Sequence, residues 1–219
     1  MVHDLALQGL DMTLCIDRAG IVGEDGETHQ GLLDIPMLMP IPGISIYAPT
    51  SYGELRVMLE SCLLKGKGIS AIRYPRGHEP DMQLPFTRPE EAAEWLGTSK
   101  ELCVISYGRQ VVSCLQGIRS ANKQVSFLKL NRIFPIEEEI VRSLMQYKKI
   151  LLIEEGYQVG GIGAYLGNQL INRRYQGTYR NFGIENQFLK SGKPADLLSA
   201  CHLDGESVAR MIIKFGELE

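Results

Sequence analysis

Short apolar runs bounded by glycine, proline and aspartate recur along the chain and alternate with stretches of helical spacing. Residues 13–16 and 44–48 are such runs, which is how strands buried on both faces of a parallel sheet read. Residues 51–64 then set Leu55, Met58, Leu59, Cys62 and Leu63 at helical spacing, and Lys65-Gly66-Lys67-Gly68 supplies a stop. The chain returns to a strand over residues 70–74, ended by Pro75. Strand, helix, strand in this order predicts α/β units with right-handed crossovers.

From residue 77 to 100 the sequence turns polar, carries Pro80, Pro85 and Pro89, and holds no sustained strand period. This predicts a first unit over 1–86, a connection over 87–100 and a second unit over 101–219. In the second unit, residues 102–106, 125–130 and 150–153 read as buried strands, and 111–121, 136–147, 161–172 and 206–215 as helices. The expected fold class is α/β, with two parallel-sheet units. At the amino-terminal end, His3-Asp4-Leu5-Ala6-Leu7-Gln8 reads as the end of a helix entering the first strand. That leaves the first unit with about three strands where sheets commonly hold about five. A piece of that unit is expected upstream, and the open apolar edge left behind should invite dimerisation or aggregation.

Hydrophobic residues at 44% and charged residues at 22% of a 219-residue chain describe an ordinary globular protein with room for a substantial core. A formal charge of −3 without a dense Lys/Arg cluster leaves no field for a nucleic-acid backbone. No signal peptide and no bilayer-length apolar run is recognisable, so no membrane partner is expected and the cytoplasm is the default location. Cys15, Cys62, Cys103, Cys114 and Cys201 form no Cys-x-x-Cys pair and are expected to be reduced and buried. His3, His29, His78 and His202 are scattered away from any cysteine pair, so no metal site is expected.

Three clusters carry candidate chemistry. The densest, Asp17-Arg18-Ala19-Gly20 through Gly23, Asp25, Gly26, His29, Gln30 and Gly31, directly follows a predicted strand, where α/β sites form. Its glycines let backbone approach a ligand, and Arg18, Asp25 and His29 add a charge, an acceptor and an imidazole able to titrate near neutral pH. A solvent-exposed turn explains the same residues equally well. Arg73-Tyr74-Pro75-Arg76-Gly77 ends another strand of that sheet, so Arg18 and Arg76 could grip one phosphoryl group with their planar donors; a plain ion pair is the alternative. Glu154-Glu155-Gly156 through Gly160, Gly161 and Gly163 lacks the Gly-x-Gly-x-x-Gly spacing, and its glycines read as close strand-to-helix packing. Neither a Walker loop nor an EF-hand pattern is present.

Together, Asp17-Arg18-Ala19-Gly20, Asp25-Gly26-Glu27-Thr28-His29-Gln30-Gly31, Arg73-Tyr74-Pro75-Arg76-Gly77 and the Glu154-to-Gly163 turn resemble the 1-deoxy-D-xylulose-5-phosphate synthases of the transketolase superfamily over nearly the whole chain. The resemblance implies the end of a pyrimidine-binding domain followed by a transketolase C-terminal domain. It implies a reaction joining pyruvate to glyceraldehyde 3-phosphate with loss of carbon dioxide, on a route to isoprenoid precursors and thiamine, with thiamine diphosphate and Mg2+ as cofactors. Carried over by motif, Asp25 and His29 would contact reacting oxygens, His29 shuttling a proton, and Arg18 and Arg76 would hold the aldehyde's phosphate.

The family's Gly-Asp-Gly and the later magnesium-ligating Asn are missing, since no Asn precedes Asn122. The family's activating glutamate also lies upstream of the matched part. The expectation is therefore a C-terminal part that is inactive alone and forms a homodimer or pairs with an N-terminal part. A non-catalytic dimerisation module, and the C-terminal subunit of a split transketolase or of a 2-oxo acid dehydrogenase, are the alternatives.

Overall fold

A computed structural model describes residues 1–23, 26–79 and 81–218. After a π-helical turn at Val2–Ala6 come β1 (Met12–Ile16), a 3-10 turn at Glu27–His29, α1 (Asp34–Leu38), β2 (Ile44–Tyr47), α2 (Tyr52–Leu64) and β3 (Ile69–Arg73). There follow β4 (Ala93–Leu96), β5 (Leu102–Tyr107), α3 (Gln110–Ala121), β6 (Ser126–Leu130), β7 (Arg132–Phe134) and α4 (Glu138–Leu144). The chain continues through β8 (Lys149–Tyr157), α5 (Ile162–Asn172), β9 (Thr178–Ile184), α6 (Pro194–Ala200) and α7 (Gly205–Gly216).

The strands form two sheets, in the orders β1-β3-β2-β7 and β4-β6-β5-β8-β9. In the first, β1, β3 and β2 are parallel and β7 joins antiparallel to β2. In the second, β6, β5, β8 and β9 are parallel and β4 closes one edge antiparallel to β6. This is the α/β class the apolar runs predict. It differs from the expectation at three strands. Residues 87–100 hold β4, whose Glu94 points inward. β7 crosses from the later part of the chain to complete the first sheet. Residues 178–184 form the half-exposed edge strand β9, in which Thr, Tyr, Arg and Asn break any apolar run. Edge strands bury little on their outer side, so hydrophobic patterning marks them weakly.

One buried cluster runs through both sheets: Ile46 and Ala71 of the first pack with Ile105, Leu130 and Ile133 of the later chain. On the other face of the second sheet, Val104, Leu151, Val208 and Ile212 form a second core. Ile21 and Leu32, which flank the glycine-rich loop of the first unit, are buried in that second core. Burying each stabilises the docked arrangement by roughly 1.5–3 kcal/mol, so this loop is anchored by its own apolar ends.

A buried lysine ties the two units together at another point. Lys129 on β6 is inaccessible and ion-pairs at 2.8 Å with Glu54 of α2 and at 3.4 Å with Glu94 of β4. Asn131 accepts a further hydrogen bond from its Nζ at 2.5 Å. Burial opposes ionisation of Glu94, but N–H donors from Thr87 and Arg88, together with Lys129, hold its carboxyl below the usual carboxylate range. A buried cation must be paired in this way to remain charged. The cysteines are all free; Cys62, Cys103 and Cys114 are buried as expected, whereas Cys15 is exposed on the edge strand β1 and corrects the expectation of uniform burial. No helix among the described residues is long and apolar enough to cross a membrane.

Candidate active-site loop

The loop after β1 closes on itself. Gly20 and Gly31 exchange backbone hydrogen bonds at 2.7 and 2.8 Å, and the Gln30 side chain accepts from the N–H of Val22 at 2.7 Å. Closure demands glycine at position 31, because a Cβ there would lie 2.0 Å from the Arg18 carbonyl oxygen. The loop is thus held at its base by backbone and at its side by one amide.

Glu155 fixes the loop to the second unit. Its carboxylate accepts the Ile21 N–H at 2.6 Å and faces Arg109, whose Nε donates at 3.1 Å and whose Nη2 also donates to it. The same Arg109 Nη2 donates to the Ile21 carbonyl at 2.9 Å, so one guanidinium and one carboxylate grip both polar groups of a single loop residue. From the other side, Arg73 of β3, 5% exposed, donates to Asp34 at 2.7 Å and to the Gly31 carbonyl at 3.4 Å. Burial works against the Arg73 charge, but Asp34, Tyr107 and Glu155 together raise the guanidinium pKa.

Glu154 sits beneath this arrangement, fully inaccessible. It accepts from Tyr107 Oη at 2.6 Å and from the N–H groups of Ile162 and Gly163, at 3.0 and 2.9 Å, at the start of α5. Burial raises the Glu154 pKa, and those three donors partly offset the rise. Burial together with the Glu154 charge holds the Tyr107 hydroxyl well above its ordinary pKa, so it remains the donor. The second sheet reverses its strand order at β5, and the crevice outside β5 and β8 is where open α/β sheets bind ligands. Here that crevice is filled by protein: Arg109, Glu155 and the docked Ile21.

The structure brings the expected cationic residues to one edge. β1 and β3 are parallel neighbours, and Tyr74 N–H to Ile16 O and Ala19 N–H to Tyr74 O extend the ladder past the strand ends at 3.0 and 2.9 Å. Arg18 and Arg76 therefore leave adjacent strand ends in the same direction, both exposed. Arg18 adopts φ 59°, a left-handed turn that starts the loop. His29 is exposed on the 3-10 turn, with its Nδ1 2.9 Å from Thr28 Oγ1, two residues before the chain closes back beside Arg18. Asp25 lies outside the described residues. Two guanidinium groups at neighbouring strand ends, with an imidazole on the same loop, are the side-chain types that anion sites use. Among the described residues no three His, Cys, Asp or Glu side chains gather as a metal set, and the nearby buried carboxylates are taken up by protein donors. A magnesium diphosphate therefore finds no fitting ligand set among them.

Sequence reasoning missed Glu155–Arg109, Arg73–Asp34 and the Lys129 cluster. The available signal was two adjacent acids closing the apolar run 150–153, since a strand that ends in paired carboxylates needs donors.

Residues 1–80 match the family model for the transketolase pyrimidine-binding domain, and residues 91–208 match that for the transketolase C-terminal domain. The chain is similar to the 1-deoxy-D-xylulose-5-phosphate synthase of Bacteroides thetaiotaomicron, 32% identical over all of this chain and 35% of that protein. It is likewise similar to that of Chromohalobacter salexigens, 34% identical over 95% of this chain and 32% of that one. It spans about a third of the length of these curated relatives. Among solved structures, a split-gene transketolase described as an inactive beta4 tetramer superposes with TM-score 0.83 at 18% identity, over 99% of this chain and 71% of that one. A transketolase from Pichia stipitis superposes with TM-score 0.77 at 19% identity, over 96% and 31%. A closed glycine loop at the end of β1, a second α/β unit that clasps it and two domain matches in sequence order agree: this chain belongs to the transketolase family and carries its pyrimidine-binding and C-terminal domains.

Proposed function

We propose that this chain is the substrate-side, C-terminal part of a 1-deoxy-D-xylulose-5-phosphate synthase, acting with a cofactor-binding part supplied from outside the described residues. The observation that carries this reading is the placement of Arg18 and Arg76 at the ends of adjacent parallel strands, beside a loop that ends in His29 and Gly31. In this reading the two guanidinium groups hold the phosphate of glyceraldehyde 3-phosphate, whose planar-donor recognition suits arginine. His29, with Asp25 from the same loop, handles the proton at the aldehyde oxygen as the new carbon–carbon bond forms. Glu155, Arg109 and Arg73 act through the loop as positioning residues. The thiamine diphosphate and Mg2+ used by this family have no fitting ligand set among the described residues, so we assign them none of these.

Calorimetric titration tests the reading. The chain alone should show no saturable binding of thiamine diphosphate with Mg2+ and no turnover of pyruvate with glyceraldehyde 3-phosphate. Glyceraldehyde 3-phosphate should bind weakly, and the Arg18→Gln/Arg76→Gln variant should lose that binding by about tenfold, the loss expected for charge-assisted hydrogen bonds. Tight cofactor binding by the chain alone would overturn it.

The split-gene transketolase favours a second reading of the same site. That chain is matched over 71% of its length, so a separate polypeptide could supply the cofactor half here as well. Co-expression with the amino-terminal half of a relative, followed by light scattering and a turnover assay, separates the two. Restored turnover in a mixed assembly supports the subunit reading; a chain that only self-associates favours a dimerisation module.

A further inference from the structure

The second unit holds a cavity of about 600 Å3, within the size range of small-molecule sites. It is walled by β9, the segment after it, the α6–α7 turn and α7, and its lining includes neither the loop nor Arg76. Its charge is uneven. Arg180 enters from β9, and Arg210 and Lys214, one helical turn apart, enter from α7. The lining contains one carboxylate, that of Glu185. Arg210 is pre-positioned by Glu206 at 2.6 Å and by Ser207 Oγ at 2.9 Å. Among the described residues, Lys214 and Arg180 meet no carboxylate; Arg180 instead lies 5.9 Å from the centroid of the Phe215 ring. With Arg210 paired to Glu206, Arg180 and Lys214 still face a lining that offers only the Glu185 carboxylate, which in a chain of formal charge −3 is a local surplus of cations.

The remaining lining mixes aromatic and aliphatic side chains with amides. Phe182 and Met211 contribute apolar surface, Phe215 is almost fully buried with Arg180 over its ring, and the amides of Gln158 and Gln187 supply donors and acceptors. Cations placed against aromatic faces, with amides nearby, suit an anion carried on a planar ring. We propose that this cavity binds a phosphate monoester of a heterocycle, the nucleoside monophosphate class. The phosphate lies against Arg180, Arg210 and Lys214, the ring against Phe182 and Met211, and the ring edge bonds Gln158 or Gln187.

Calorimetry on the full chain with adenosine monophosphate tests this, with inorganic phosphate and adenosine as the two separated halves of the probe. Saturable binding of the nucleotide, weaker binding of each half, and a loss of about tenfold or more in Arg180→Gln/Lys214→Glu are the expected results. Arg18→Gln/Arg76→Gln should leave this binding unchanged, which keeps it separate from the proposed substrate loop. If the double variant fails to fold, Lys214→Gln alone carries the test, because Lys214 is exposed and makes no protein contact that the fold needs. The proposal is overturned by an absence of saturable nucleotide binding, by binding equal in the cavity variants, or by binding lost only when Arg18 and Arg76 are changed.

Discussion

The loop closed between Gly20 and Gly31 and the turn from Glu154 to Gly163 both stand at the carboxyl end of a parallel strand, and both mix glycine with acid. In the turn, acid and glycine serve each other. Gly161 and Gly163 leave space that a Cβ would take from the Glu154 carboxylate, at 2.7 and 2.9 Å from its Oε1, and the backbone so admitted donates to that carboxylate. In the loop, the glycines let the chain close, while Arg18 and His29 stay exposed. The comparison teaches that glycine density alone does not distinguish a ligand loop from a packing device. What distinguishes them is burial: Glu154 and Glu155 are buried among protein donors, whereas Arg18 and His29 are exposed.

The largest effect is expected where the two regions touch. Glu155→Ala strands the Arg109 charge and the Ile21 N–H together, and should destabilise the fold by about 3 kcal/mol, the lower end for a broken buried pair because Arg109 retains some solvent. Urea unfolding measures the loss, and hydrogen exchange should show residues 20–31 opening with it. An unchanged midpoint would mean the clasp contributes no net stability. Gly31→Ala should cost about 2 kcal/mol through overpacking against Arg18 O, with faster exchange in the loop and little change at β8.

Glu154→Gln sharpens the contrast through pH. The amide keeps the shape but turns an NH2 toward groups that all donate, at a cost of about 1–3 kcal/mol. Burial raises the Glu154 pKa in the fold above its ordinary 4.5, so the stability this group contributes is complete below that value and lost as pH rises through the folded pKa. The stability gap between the parent chain and Glu154→Gln should therefore narrow as pH rises above the ordinary value of 4.5. A gap that widens as pH rises would reverse the sign assigned here. The smallest effect is expected for His29→Ala and Arg18→Gln, which should change unfolding free energy by no more than about 0.5 kcal/mol, as exposed substitutions usually do. A larger loss at either would make it a structural residue like Glu155.

Much of this was legible beforehand, for identifiable reasons. The runs at 102–106 and 150–153 lie in strands buried on both faces, where continuous hydrophobicity is obligatory. Ser51 caps α2 by accepting the Glu54 N–H at 3.2 Å, a start signal visible in the residue types. β4 and β9 were hidden because an edge strand need bury only one side, and β7 because its three residues pair with a strand far away in sequence. At the candidate site, the positions of Arg18 and Arg76 followed from strand ends, but the partners of Glu154 and Glu155 did not.

The sequence by itself determined the alternation of strands and helices, the glycine loop with its exposed chemistry and the resemblance that identifies the family. These depend on local spacing and residue type. Only the tertiary structure decided that Glu155 holds Ile21 through Arg109, that Arg73 belongs to Asp34 and not to a ligand, and that Lys129 lies buried between Glu54 and Glu94. Glu155 and Ile21 are 134 residues apart. A buried charge needs a partner, but which one it finds depends on how the two sheets come together, and no local pattern encodes that.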